Sequence, residues 1–393
     1  MTNVDRWLLP DGVDEVLPEQ AEVVESYRRK LLDLYYRWGY DLVIPPMLEF
    51  TESLLSGSGK DLDLMTFRLT DQISGRMMGV RADITPQTAR MDAHSLHREG
   101  PSRLCYAGTV LHTRARGPLQ SRAPISVGVE LFGEQSLAAD MEVIALFLET
   151  LKLSGVEQVT IDLGHVDILR GIVVEANLSV DQEGELFALL QRKAKAELTD
   201  WITDHVQRED LGSYLRALPN LAGGVEVINE AKALLKGASD LVQRALNQLD
   251  AVVALVQEMD AHVHIDLGEM PGYHYHTGIV FAAYVQGYGR ALGNGGRYDH
   301  VGQEFGRARP ATGFAFDLKS LVSQSHARYE RSQGIFVPFS NNTELSAQVD
   351  LLRSQGERVV FGFEGQYIDF QEMKCDRQLV EVDGQYVVRD LPQ

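Results

Sequence analysis

Apolar residues step by three and four positions through 18–38, where Val24, Tyr27, Leu31, Leu34 and Trp38 share one face, so the segment predicts an amphipathic helix. Pro18 and Gly39 supply its start and stop signals. The stretch 39–49 is strand-like, but Pro45 and Pro46 cannot donate to a central ladder, so it predicts an edge or interface strand that a dimer contact could use. A β-rich pattern over 67–81 with a turn at 71–75 predicts a hairpin leading into Arg81-Ala82-Asp83-Ile84-Thr85-Pro86. Thr85 is suited to an N-cap and Pro86 to the first helical position, which puts a helix over 86–97 and Asp83 at a strand end beside its N-terminus.

Farther along, strands are expected at 103–112 and 125–132, a helix at 137–151 and a strand at 159–163. The charged, helix-patterned stretch 181–259, broken at 219–224, reads as a helical insertion. Strands resume at 262–267 and 273–284, followed by a glycine-rich turn at 287–296 and a segment ending in Gly313-Phe314-Ala315-Phe316-Asp317-Leu318. The polar segment 320–334 reads as a linker, and 335–393 as a small αβ unit with a strand at 335–339, a helix at 343–355 and a strand at 358–363. The expected organisation is an α+β chain with a core over 1–325, its insertion at about 181–260, and a small C-terminal α/β domain over 326–393.

At 393 residues, 44% hydrophobic and 24% charged, the chain fits a folded globular protein of more than one domain. Its 37 Lys and Arg against 56 Asp and Glu leave a net charge of −19, a field that opposes nucleic-acid phosphates. Cys105 and Cys375 lie far apart and show no metal or redox spacing, which suits a reducing compartment. Residues 1–10 carry no apolar core of signal-peptide length and no long apolar run occurs elsewhere, so a soluble cytoplasmic protein without membrane contact is expected.

Strand 125–132 alternates: Val127, Val129 and Leu131 point one way, Ser126, Gly128 and Glu130 the other, and the glycine makes room close to the sheet. Segment 273–281 predicts a second such strand, with His274, His276 and Gly278 on one face and Tyr273, Tyr275, Thr277 and Ile279 on the other. A half-exposed sheet facing water produces the same alternation. His262, His264, His274 and His276 form two i, i+2 pairs that could share a metal with Asp266, but such pairs also arise in solvated strands and no further ligands complete the set. Gly57-Ser58-Gly59-Lys60 lacks the first glycine and the final Ser or Thr of a phosphate loop, which leaves a surface loop. Gly293-Asn294-Gly295-Gly296-Arg297 opens no dinucleotide helix and reads as a tight turn delivering Arg297 and Tyr298.

Several segments taken in order carry a resemblance: Pro10-Asp11-Gly12-Val13, Leu17-Pro18-Glu19, Gly39-Tyr40, Pro45-Pro46-Met47-Leu48-Glu49 and Arg81-Ala82-Asp83-Ile84-Thr85-Pro86. They continue with Gly128-Val129-Glu130-Leu131-Phe132-Gly133, Tyr275-His276-Thr277-Gly278, Gly295-Gly296-Arg297-Tyr298-Asp299 and Pro310-Ala311-Thr312-Gly313-Phe314-Ala315. Over about 8–325 the chain resembles the catalytic core of histidyl-tRNA synthetase, which implies a class II synthetase-like antiparallel sheet flanked by helices. It departs where that family carries catalytic arginines: His112 stands in place of the arginine that grips the ATP phosphate, Pro271 precedes Gly272 in place of a histidine-specific arginine, and Ser320 ends the third class motif. Losing one preorganised donor to transition-state charge costs roughly 10² to 10³ in rate, so three losses should extinguish adenylate formation.

With its shortened tail, the chain is therefore most similar to the regulatory-subunit family of ATP phosphoribosyltransferase, found with short catalytic subunits. That resemblance implies no catalytic residue, no cofactor and no metal. It implies a histidine pocket in which Asp83 and Thr85 hold the amine, Ser126 replaces a family glutamine, Glu130, Tyr275 and His276 face the ligand, and Tyr298 closes the imidazole side. The implied partners are the catalytic subunit, which joins ATP to phosphoribosyl pyrophosphate in the first step of histidine biosynthesis, and L-histidine as allosteric inhibitor. The implied assembly is a homodimer within a hetero-octamer. The alternative is a diverged histidyl-tRNA synthetase or another ligase that forms an aminoacyl adenylate.

Overall fold

The computed structural model describes residues 7–55, 60–115, 117, 120–269, 272–326, 333–340 and 342–391. The chain divides into two compact units, 1–327 and 328–393. In the first unit a nine-stranded sheet contains β1 (Asp41–Leu42), β5 (Ser102–Thr109), β6 (Ile125–Phe132), β7 (Val159–His165), β8 (Ala222–Gly223), β9 (His262–Asp266), β10 (Ile279–Val285), β11 (Ala291–Arg297) and β12 (Ala311–Asp317). A separate three-stranded sheet is formed by β2 (Leu48–Phe50), β3 (Phe67–Thr70) and β4 (Met77–Val80).

The large sheet runs β1-β5-β6-β12-β11-β10-β7-β9-β8, antiparallel from β5 to β7, with parallel pairs β1/β5 and β7/β9 toward its two ends. This is the α+β, class II synthetase-like arrangement the resemblance implied. One face packs the helices Pro18–Arg37 and Leu137–Leu153. The first begins at Pro18, where a missing N–H costs nothing, and buries Val24, Tyr27, Leu31 and Leu34 as its periodicity predicts. Burying each such side chain contributes roughly 1.5–3 kcal/mol. Phe147 of the second helix stacks on Phe316 and meets Phe281 and Phe314 edge-on, which fastens the helix to β10 and β12.

Several elements differ from expectation. The strand over 39–49 is two short strands, β1 and β2, because Pro45 and Pro46 interrupt the ladder. Gly293-Asn294-Gly295-Gly296-Arg297 is not a turn but part of β11, paired on both sides and packed under Phe316 and Phe281. Tertiary packing there outweighs glycine's low strand preference. Segment 273–278 is a turn, so β10 begins only at Ile279. Helix Val166–Glu175 precedes the helical insertion and was not legible, and the break at 219–224 holds β8, which pairs with β9. Gly57, Ser58 and Gly59 lie outside the described residues.

The second unit contains β13 (Gly334–Val337), helix Thr343–Ser354, β14 (Val359–Phe361), β15 (Cys375–Val382) and β16 (Gln385–Asp390), with sheet order β14-β13-β15-β16. Its core joins Ile335, Val337 and Leu379 to Leu345, Val349 and Leu352 of the helix. The β15/β16 hairpin was missed; its Asp383-Gly384 turn is a hairpin signal.

In the first unit Arg297 ties the sheet to helix Leu137–Leu153. Its guanidinium sits 2.9 Å from the Asp140 carboxylate with both groups buried, and it also reaches Asp299 and the carbonyl of Glu134. Arg297→Ala would strand the Asp140 charge and should cost about 3–5 kcal/mol, read as a lower denaturant midpoint. A loss under about 1 kcal/mol would show that Asp140 finds another partner.

Candidate functional site

Strand β6 obeys its alternation. Val127, Val129 and Leu131 are buried in the apolar core, while Ser126 and Glu130 line a cavity of about 530 Å³ on the other side of the sheet. Asp83, Thr85, Tyr275, His276 and Tyr298 line the same cavity, so all seven candidate residues come together. Its floor is shallow because β12 contributes Gly313 and Ala315, and β11 contributes Asn294 and Gly296.

Glu130 is the centre. Only 1% of the residue is exposed, and its Oε1 accepts from the Thr85 hydroxyl at 2.8 Å and the Tyr106 hydroxyl at 3.1 Å. Among the described residues its Oε2 is buried without a hydrogen-bond partner, as is the Tyr298 hydroxyl. A Cβ on Gly313 would stand 1.9 Å from Oε2 and 2.7 Å from the Tyr298 oxygen, so both groups crowd one small volume that only glycine leaves open. Burial pushes the Glu130 carboxyl well above the ordinary carboxylate range; the Thr85 hydrogen bond opposes this, and the charge of Asp83 adds to it.

Two local expectations change. Thr85 is not the cap: it is the first helical residue, its N–H donates to Asp83 Oδ1 at 3.1 Å, and its hydroxyl is thereby released to Glu130. The space above Gly128 is not open to a ligand either. Tyr106 lies opposite Gly128 in the register, and a Cβ there would fall 2.8 Å from its hydroxyl and 2.2 Å from the Phe314 carbonyl. The glycine admits the tyrosine that holds Glu130. The register of two neighbouring strands carries that signal, which a single strand's pattern does not.

The turn 272–278 aims its side chains differently from a strand. The N–H groups of Tyr275 and His276 both donate to the Gly272 carbonyl, and Gly272 holds φ +71°. Tyr273 and His274 pack against Phe187 of the insertion, whereas Tyr275 stacks on Tyr298 with centroids 5.2 Å apart. His276 Nδ1 lies 3.2 Å from the Arg297 carbonyl. A carbonyl can only accept, so Nδ1 carries the proton and Nε2 keeps its lone pair. Burial lowers the His276 pKa to about 4, so the ring is neutral near pH 7.

The four histidines do not converge. His262 and His264 lie on β9, which pairs with β7 and β8, and His264 Nδ1 meets Asp162 at 2.7 Å. Asp266 is engaged by Lys193 and by the N–H groups of Gly268 and Glu269. Among the described residues no group of three His, Cys, Asp or Glu is placed to hold a metal.

The cavity extends past Ser126 toward His112, Asp317 and Ser320. His112 is buried with Nε2 3.0 Å from the Ala82 carbonyl. Sequence reasoning missed Arg290, which enters this end and donates to the Ser320 hydroxyl at 3.1 Å and to the Tyr288 hydroxyl. It sits one residue before β11, where the glycine-rich pattern suggested only a turn. Pro271 lies outside the described residues.

Comparisons with known proteins agree with this fold. The histidyl-tRNA synthetase family profile matches residues 12–321, and that of the ATP phosphoribosyltransferase subunit HisZ C-terminal domain matches 332–389. The chain is 51% identical over 391 residues to an ATP phosphoribosyltransferase regulatory subunit of Saccharophagus degradans, covering 99% of each chain. It is 52% identical over 395 residues to that of Thioalkalivibrio sulfidiphilus, covering 100% of each. A solved ATP phosphoribosyltransferase regulatory subunit/histidyl-tRNA synthetase from Bacillus halodurans superposes with a TM-score of 0.81 at 28% identity, over 93% of this chain and 95% of that one. A histidyl-tRNA synthetase from Nostoc sp. PCC 7120 shares the fold, with a TM-score of 0.78 at 18% identity over 98% and 97%.

Because the Glu130 pKa is raised in the fold, the folded chain holds a proton that the unfolded chain releases above its ordinary value of 4.5. That contribution is full at low pH and is lost as pH rises through the folded value. Glu130→Gln removes the titration, so its stability relative to the parent should climb as pH increases from about 4.5. Paired denaturation curves across pH check this, and parallel curves would contradict the buried protonated carboxyl.

Proposed function

The chain belongs to the family of ATP phosphoribosyltransferase regulatory subunits, and we propose that it binds L-histidine in the Glu130 cavity and conveys feedback inhibition to a short catalytic subunit that it also activates. The observation that carries the reading is the grouping of a buried, half-satisfied Glu130, an Asp83 beside it, and the Tyr275/Tyr298 stack around one cavity. Asp83 would hold the ligand's ammonium, Glu130 a ring nitrogen, and the tyrosines the ring. Charge-assisted hydrogen bonds of this kind contribute about 1.5–3 kcal/mol each.

Three features favour sensing over catalysis. His112 and Ser320 stand where the synthetase resemblance places arginines, and Arg290, a cation that enters the cavity, is engaged by Ser320 and Tyr288. A net charge of −19 opposes tRNA. We expect the chain to act in the cytoplasm; among the described residues no helix is long and apolar enough to cross a membrane. Arg290 is also what would favour the alternative ligase, and histidine-dependent pyrophosphate exchange discriminates: the sensor shows none above background.

A homodimer within a hetero-octamer has support in the three-stranded sheet. The register β2-β4-β3 puts Leu48, Phe50, Val80, Met78, Phe67 and Leu69 on one face, and none of the six is fully buried. Such an apolar face is what a second copy would cover. Leu69→Lys should shift sedimentation toward monomer, and an unchanged profile would place the contact elsewhere.

Coupling between sites usually amounts to about 1–3 kcal/mol and is reciprocal. In the reconstituted complex, histidine should inhibit phosphoribosyl transfer, and Glu130→Ala should raise the half-inhibiting concentration at least about tenfold. Equal inhibition of parent and variant would contradict the assigned site.

A further inference from the structure

We propose that the insertion helix Val180–Gln191 fixes the turn that faces the ligand, with Glu183 and Phe187 as positioning residues that couple occupancy of the cavity to the order of the insertion. The inference rests on the histidine-binding reading and adds the element outside the cavity on which histidine would act.

The turn 272–278 has two sides. Toward the cavity it presents Tyr275, stacked on Tyr298, and His276, whose Nδ1 meets the Arg297 carbonyl. Its backbone closes on itself through the Gly272 carbonyl, and Thr277 donates to the Arg297 carbonyl at the end of β11. A segment that lies outside the strand ladder keeps more conformational freedom, so side chains from other elements must fix it.

Those side chains reach it from the side away from the cavity. Arg170 of helix Val166–Glu175 donates to the carbonyls of Tyr273 and His276 at 3.3 and 3.1 Å. Glu183 accepts from the Tyr273 hydroxyl at 2.7 Å. Phe187 stacks on Tyr273 with centroids 5.0 Å apart and meets His274 edge-on at 5.2 Å. Glu183 and Phe187 stand at i, i+4 on the helix and so share a face, while Leu186, Leu189 and Leu190 are buried in the core. Neither Glu183 nor Phe187 lines the cavity, so any effect on a ligand there passes through the turn.

The same helix has a second hold. Lys193, just past its end, donates to Asp266 at the end of β9 at 2.9 Å, and Asp266 accepts from the N–H groups of Gly268 and Glu269. The insertion is thereby tied both to the turn and to the chain shortly before it.

A ligand meets Tyr275 and His276 together only in molecules whose turn is in this position, and apparent affinity falls with that fraction. Loosening the helix therefore weakens histidine binding, and by linkage histidine must order the helix to the same extent. A packing role alone predicts neither effect: it lowers stability and leaves the affinity of the folded chain unchanged.

The test uses the full chain, with histidine affinity read by calorimetry, folding by circular dichroism and helix order by hydrogen exchange. Glu183→Ala, Phe187→Ala and Tyr273→Phe should each weaken histidine binding about threefold to tenfold, the scale of one hydrogen bond or aromatic contact. Glu183→Gln keeps an acceptor for the Tyr273 hydroxyl and should bind within about twofold of the parent. Glu183→Ala combined with Tyr273→Phe should bind no more weakly than either alone, because both remove the same bond. Tyr273→Phe retains the buried ring and keeps the test decisive should Phe187→Ala fail to fold. Saturating histidine should slow amide exchange across 183–191 of the parent about threefold or more, and Glu183→Ala should reduce that protection. Unchanged affinity in folded Glu183→Ala and Tyr273→Phe, or a helix that histidine does not protect in the parent, overturns the inference and leaves histidine binding standing. A parent chain that binds no histidine overturns the reading beneath it and the inference together.

Discussion

The constraint on which the site depends is that strands β6, β11 and β12 must be filled on one face and nearly bare on the other. On the core face Val127, Val129, Phe314 and Phe316 pack beneath Phe147. On the cavity face Gly128, Gly296 and Gly313 leave no room for even a methyl group, since a Cβ would meet backbone or site atoms within 3 Å. Close packing makes this costly to alter, because neighbours in a dense core cannot yield without strain. The cavity is therefore a property of the sheet itself rather than of a loop folded over it.

Arg297 joins the two faces. Its guanidinium is buried against Asp140 on the helix side, while its carbonyl fixes the His276 tautomer on the cavity side. Tyr106 does the same across β5 and β6: it fills the notch above Gly128 and presents its hydroxyl to Glu130. Site geometry and fold stability thus share residues, and the pocket's framework is part of what holds the sheet together.

Much of this was legible in the sequence. The period-2 pattern of 125–132 placed Glu130 and Ser126 on one face, and the order of short motifs implied the fold. The misreadings share a cause: local pattern was read without its neighbours. Glycines 293, 295 and 296 read as a turn because the phenylalanines that cover two of them come from other strands. Residues 273–278 alternate like a strand, yet the Gly272 carbonyl collects two N–H groups and makes a turn. Thr85 had the chemistry of a cap, but it is the first helical residue and its N–H donates to the Asp83 carboxylate two residues earlier. Arg290 gave no signal because nothing in its own segment shows that Ser320 will lie beside it.

The most direct measurement of the central claim is equilibrium dialysis of labelled histidine against the parent chain and Gly313→Ala, with folding of both confirmed by circular dichroism. The added methyl group projects into the volume shared by Glu130 Oε2 and the Tyr298 hydroxyl. If this cavity is the histidine site, the parent binds one equivalent per chain saturably and the variant binds none at the same concentrations. Equal binding by a folded Gly313→Ala chain would mean that histidine, if sensed at all, is sensed elsewhere.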